Sequence, residues 1–198
     1  SHVKGVRMSK PNIAYQGEPG ANSHIACLEA APDYVPLACR TFEDCFQALD
    51  DGTAALAMIA IDNSLAGRVA DVHHLLPQSK LSIIGEHFLP IHFHLLANKG
   101  AKISAITSIH SHVHALGQCR KLIRELKANA VVAHDTAGAA KDLAEHPDPS
   151  KAVLATELAA HMYGLEILRR DVADHVNNTT RFVILSPTRV DAEPGDRD

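Results

Sequence analysis

The chain has 198 residues, 46% of them apolar, 4% aromatic and none Trp, with a formal net charge of −4. That length buries a core as one large domain or two small lobes, and the charge argues against a nucleic-acid partner; an anionic ligand must be held by locally placed Arg and backbone N–H groups. No apolar run approaches the ~20 residues of a membrane helix, residues 1–7 lack the apolar stretch of a signal peptide, and Cys27, Cys39, Cys45 and Cys119 lack CxxC spacing. These features predict a cytoplasmic protein with reduced packing thiols, no membrane partner and Met8 as a candidate native start.

Residues 12–16 read as a short strand running into the loop Gly17-Glu18-Pro19-Gly20-Ala21-Asn22-Ser23, and 24–31 as a helix capped by Asn22 or Ser23. A glycine loop feeding a helix start is a ready anion site, although G-x-x-G-x-x-S is more often the spacing of a plain strand-to-helix turn. Residues 37–40 form a strand, Thr41 caps a helix over 42–50 with Asp44 at the capping-box position, Gly52 stops it, and 54–61 is a buried strand of the parallel-sheet kind. The polar turn Asp62-Asn63-Ser64-Leu65-Ala66-Gly67 then lies at a strand's carboxyl end, the edge where open α/β sheets bind ligands.

A helix over 69–76 ends before Pro77, and 81–86 and 91–96 alternate like strands. The pattern further predicts Ser111 at a helix start, helices over 115–126 and 159–168, strands over 130–134 and 152–155, and Thr136 capping a helix over 137–145. A closing strand follows over 181–185, and 188–198 is a polar tail. The segments 37–61 and 130–155 share one plan of strand, Thr cap, Ala-rich helix, turn and apolar strand. The fold class is therefore α/β, with two lobes built alike.

The stretch Asn178-Thr179-Thr180-Arg181-Phe182 sets a hydroxyl and a guanidinium at the mouth of the last strand, placed to offer a proton and a carboxylate clamp. The ordered set G-E-P-G-A-N-S-H, I-D-N-S-x-x-G, S-H-V-H-A-L-G-Q-C, D-T-A-G-A-A, Y-G-L-E-I-L and N-N-T-T-R-F resembles the prephenate dehydratase family over residues 12–185. Each motif alone is modest; together, in the family's order and spacing, they are specific. The resemblance implies two α/β subdomains resembling type II periplasmic binding proteins, with the active site in the interlobe cleft. The first lobe is expected over 9–84 plus 177–187 and the second over 85–176. No cofactor is implied; prephenate is the small-molecule substrate and a homodimer the assembly. The family's C-terminal ACT domain, with its Glu-Ser-Arg-Pro motif, has no counterpart in this sequence, so phenylalanine is not expected to inhibit by that route.

By the family pattern Thr180 is the catalytic group, assisting loss of the ring hydroxyl as carbon dioxide departs and phenylpyruvate forms. Threonine is a poor acid in water, so its help must come from positioning in a dry cleft. Arg181 matches a carboxylate clamp; Asn63 and Ser64 match the family's Asn and Ser or Thr, and Ser111 and Gln118 its Ser and Gln at a separation of seven. Ser111 and Thr136 are expected to face an anion from helix starts. Asp62 stands where Glu is common and Val113 where Pro is usual, the latter freeing a backbone that Pro stiffens. Asp62 bears on the alternative substrate arogenate, which carries an ammonium group; a non-catalytic two-lobed small-anion binder is the alternative from another class. Fourteen histidines include His92-x-His94 and His110-x-His112-x-His114, but no Cys or HExxH partner accompanies them. No metal is expected, and His112 is read as lining the site beside Ser111.

Overall fold

A computed structural model describes residues 9–76 and 80–187; the expectations for residues 1–7, Pro77 and the tail over 188–198 lie outside the described residues. Strand β1 (Asn12–Gln16) buries Ile13, Ala14 and Tyr15 and runs parallel to β2 (Val35–Cys39) on one side and β3 (Leu56–Asn63) on the other. Central strands covered on both faces need apolar residues at every position, hence the unbroken run along β3. Helix α1 (Asn22–Ala30) turns Ala26 and Cys27 inward, and α2 (Phe42–Asp50) turns Cys45, Ala48 and Leu49. Thr41 caps α2 as expected, its hydroxyl accepting the Asp44 N–H at 3.0 Å.

Beyond β3 lie two antiparallel neighbours, β11 (Thr179–Pro187) and then β5 (Leu81–Pro90), while β4 (Gly67–Arg68) folds back on the end of β3 and leads into α3 (Ala70–Leu75). The first sheet thus has the order β2-β1-β3-β11-β5. The second repeats it. Strand β7 (Ser108–Ser111) is parallel to β8 (Asn129–Val132) and β9 (Lys151–Ala155), β6 (His94–Ala97) is antiparallel to β9, and β10 (Glu166–Arg169) is antiparallel to β6, giving β8-β7-β9-β6-β10. Its helices are α4 (Val113–Gly117), α5 (Arg120–Leu126), α6 (Thr136–Glu145) and α7 (Glu157–Tyr163). The shared plan therefore extends to whole lobes. One apolar cluster crosses from lobe to lobe, joining Tyr15, Met58 and Phe182 to Leu95, Ile109 and Leu154.

Several local expectations are corrected. The chain leaves the first sheet after Pro90, not at 84/85, because β5 pairs with β11 along its whole length. The helix expected over 115–126 is two: the Asp174 carboxylate accepts the N–H groups of Arg120 and Lys121 at 2.9 and 3.0 Å, starting α5 afresh, while the Asp174 N–H binds the Gln118 carbonyl. The helix expected over 159–168 stops at Gly164, whose φ of +67° makes the left-handed turn, and 166–169 pairs with β6 instead. Helix α1 starts from Ala21 without a side-chain cap, not from Asn22 or Ser23, and Asp135 rather than Thr136 caps α6, its carboxylate accepting the Gly138 N–H. Ser111 ends a strand, and His112 caps the helix that follows.

Candidate active site

A bulge where β3 meets the mouth of β11 decides which side chains share a face. Arg181 pairs with Asp62 and Phe182 with Ala60, so Ile61 is an extra residue on β3. Met58 packs in the cluster that holds Phe182, whereas Ile59 and Ile61 pack in the one that holds Val183. Strict alternation sends Asn63 to the Ile61 side. The extra residue turns it to the other side, where its Nδ2 lies 2.8 Å from Thr180 Oγ1. Arg181 faces away from Thr180: its guanidinium is 3.2 Å from Asp62 Oδ2 and 3.8 Å from a Glu86 carboxylate oxygen. The expected clamp is thus already held between two carboxylates.

The polarity of the site follows from one observation. Asn63 Oδ1 accepts the backbone N–H groups of Leu65 and Ala66, both at 2.9 Å. A backbone N–H only donates, so this end of the amide is the oxygen and the opposite end is the NH2 group. That group donates to Thr180 Oγ1 and, at 2.7 Å, to Asn178 Oδ1. Asn178, 2% exposed, then donates through Nδ2 to Gln118 Oε1 at 2.6 Å. Two backbone donors thereby set the direction of a row that starts on the first lobe and ends on the second. Its two ends, the Thr180 hydroxyl hydrogen and the Gln118 NH2 group, donate to no other described residue, and both side chains are half-buried.

The remaining predicted site residues lie elsewhere. Ser64, exposed, ties the turn to β11: its hydroxyl accepts the Thr179 N–H at 2.9 Å and donates to the Asn177 carbonyl at 3.2 Å. Ser111 is fully buried and donates to the Leu154 carbonyl at 2.8 Å, clasping β7 to β9. Thr136 is half-buried in the first turn of α6, and among the described hydrogen bonds none joins it to the row. The glycine loop is engaged in docking on the second lobe. Thr156, buried, donates to the Gly20 carbonyl at 2.6 Å, Tyr163 donates to the Pro19 carbonyl, and the Gly20 N–H donates to His24 Nδ1 at 3.0 Å.

Asn178 and Thr156 were not assigned a role by the sequence. A signal existed for Asn178, which stands two residues before Thr180 and so shares its face at strand spacing; Thr156 offered only its position as a helix cap. His112 accepts the His114 N–H at its Nδ1, and burial pushes its pKa down, with His114 adding to the effect. Among the described residues no group of three or more His, Cys, Asp or Glu is arranged to hold a metal ion.

Fold and site together define a two-lobed α/β protein whose seam carries a directed row of neutral donors. The model of the prephenate dehydratase family matches residues 13–189, and the chain belongs to that family. It is 48% identical over 174 residues to the bifunctional N-acyl-homoserine lactone acylase/prephenate dehydratase of Komagataeibacter europaeus, covering 88% of this chain and 62% of that protein. It is 39% identical over 180 residues to arogenate dehydratase/prephenate dehydratase 6, chloroplastic, of Arabidopsis thaliana, covering 90% of this chain and 44% of that protein. The solved prephenate dehydratase of Arthrobacter aurescens, in complex with L-Phe, superposes with a TM-score of 0.82 at 30% identity, over 89% of this chain and 60% of that one. The chain thus spans less than two thirds of the length of these relatives.

Proposed function

We propose that the chain catalyses the decarboxylative dehydration of prephenate to phenylpyruvate, a step toward phenylalanine, with Thr180 assisting departure of the ring hydroxyl. The bond from ring carbon to carboxylate breaks, its electron pair enters the ring, and the hydroxyl leaves with the pair of its own bond and takes up a proton. Aromatisation drives the step, so the protein's task is to hold the substrate and stabilise the departing oxygen. The observation that carries this reading is the Asn63–Thr180 hydrogen bond. Asn63 fills a lone pair of Thr180 Oγ1, which leaves the hydroxyl hydrogen to be given to a departing oxygen. Asp62 and Arg181 support the bulge from the opposite face in this reading.

Two relatives bear on the alternatives. The Arabidopsis protein is named for arogenate as well as prephenate, so both substrates belong in the assay. The Komagataeibacter protein is also named an acylase. Acyl transfer through Thr180 requires a neighbouring base, and the Asn63 NH2 group accepts no proton; the row suits a donor rather than a nucleophile. Among the described residues no helix is long and apolar enough to cross a membrane, and the cysteine pattern supports a cytoplasmic protein. Ile83, Ile84 and Phe88, exposed on edge strand β5, support a homodimer.

The test is turnover of prephenate and of arogenate, separately, by the wild-type chain and by Thr180→Ala. Phenylpyruvate release by the wild type, with kcat reduced by about 10²–10⁴ in the variant, is expected. A variant that keeps most of the wild-type turnover sinks the role of Thr180, and binding of either substrate without turnover favours the small-anion binder.

A further inference from the structure

We infer that Asn178 is a positioning residue: it turns the Gln118 amide so that Gln118 meets the substrate with its NH2 group and not with its carbonyl. The inference rests on the proposed function for the identity of the ligand, while the orientation itself stands on geometry.

Asn178 is fixed independently of any ligand. Its backbone carbonyl accepts the Ile91 N–H at 2.8 Å, so it sits where the two passages between the lobes meet. Its Oδ1 faces the Asn63 NH2 group, whose direction the Leu65 and Ala66 N–H groups dictate, and its own NH2 group is therefore turned to Gln118. The Gln118 backbone is held as well, its N–H on the His114 carbonyl at 3.1 Å and its carbonyl on the Asp174 N–H at 2.7 Å. What remains open at Gln118 is which end of the amide faces Asn178. A donor on the 2% exposed Asn178 admits only the oxygen. Reversal sets two NH2 groups against each other and leaves buried donors unpaired.

The consequence is chemical. Prephenate carries two carboxylates, the chain is net negative, and Arg181 is engaged by Asp62 and Glu86. A seam that offers the Thr180 O–H and the Gln118 NH2 attracts oxygen anions without adding a charge. A Gln118 carbonyl at the same place repels them. The identity of residue 178 thus sets the sign of the partial charge shown to the substrate by a residue on the other lobe.

Asn178→Asp is nearly isosteric and tests this directly. The new carboxylate still accepts from Asn63, so Thr180 keeps its setting, but it only accepts from Gln118, which must turn and show its oxygen to the ligand. KM for prephenate is expected to rise at least about tenfold, one hydrogen bond to a charged group accounting for that factor, with kcat within about threefold of wild type. Gln118→Glu, which keeps the Asn178 contact and presents a carboxylate oxygen, should raise KM further. In the substrate-free protein, side-chain amide exchange followed by NMR should show the Gln118 NH2 exchanging fast in the wild type and slowly in Asn178→Asp. A Gln118 amide that exchanges alike in both overturns the inference whether or not the protein turns prephenate over. A turned amide with KM unchanged overturns the substrate contact, and a wild type without turnover counts against the proposed function while the amide measurement still decides the orientation. If the buried carboxylate prevents folding, Asn178→Ala serves: freed from its partner, Gln118 samples both ends, KM rises by a smaller factor, and no rise overturns the inference.

Discussion

Asn63 uses all four of its amide hydrogen-bonding positions, two as acceptor from Leu65 and Ala66 and two as donor to Asn178 and Thr180. Asn63→Asp keeps the shape and both backbone bonds but replaces the NH2 group with an oxygen. Thr180 then gives its hydrogen to that oxygen, and Asn178 turns to donate to it as well. We expect kcat with prephenate to fall by about 10²–10³ and KM to rise in steady-state assays, with the circular dichroism spectrum unchanged; a kcat near wild type contradicts the assigned polarity. Of the residues singled out from sequence, Thr180, Asn63 and Gln118 come together, whereas Arg181, Ser64, Ser111 and Thr136 do not join them. A motif specifies which residue stands at a position, not the face to which the strand turns it. The bulge at Ile61 reverses that face for Asn63, and no glycine marks it in the sequence.

At the scale of elements, the contact between the glycine loop and α7 is close enough to measure. Gly20 has φ +98°, and a Cβ built on it lies 3.0 Å from Ala159 Cα and 3.1 Å from Ala159 Cβ. Gly100 has φ +85° with nothing within 4 Å of the same added atom. Both glycines adopt a backbone that disfavours L side chains, so Gly100→Ala carries strain alone, on the order of 1 kcal/mol, while Gly20→Ala adds a collision with the backbone of the other lobe. In urea titrations Gly20→Ala should lower stability by at least about 1 kcal/mol more than Gly100→Ala, and equal losses mean that the loop is not pressed on α7. The repeated strand–helix–strand plan was legible because buried parallel strands leave unbroken apolar runs. The break after Gln118 was not, because the carboxylate that restarts the helix belongs to Asp174, far along the chain. The strand after Gly164 was missed because Leu165, Ile167 and Leu168 suit a helix face as well as a strand.

Across the whole molecule, acid should lower stability. His24, His94 and His112 each accept a backbone N–H at Nδ1, from Gly20, Asp171 and His114. A protonated ring has no lone pair there, so each bond requires the neutral form. Burial lowers the pKa of all three, and of His110. Near pH 6.5 the unfolded chain therefore binds protons that the folded chain resists, and stability is full above that pH and falls as pH drops through the lowered folded values. The pairs His92–Asp171 and His146–Asp142 lie at the exposed surface, where ion pairs contribute too little to set the trend. Urea midpoints should thus decline from pH 7.5 to 5.5, above the range where carboxylates titrate. The decline should flatten in His24→Gln and in His94→Gln, which retain an acceptor oxygen for the same N–H but take up no proton. Midpoints flat across this range in the wild type would falsify the neutral-acceptor role of these rings, and an unaltered slope in both variants would place the titrating groups elsewhere.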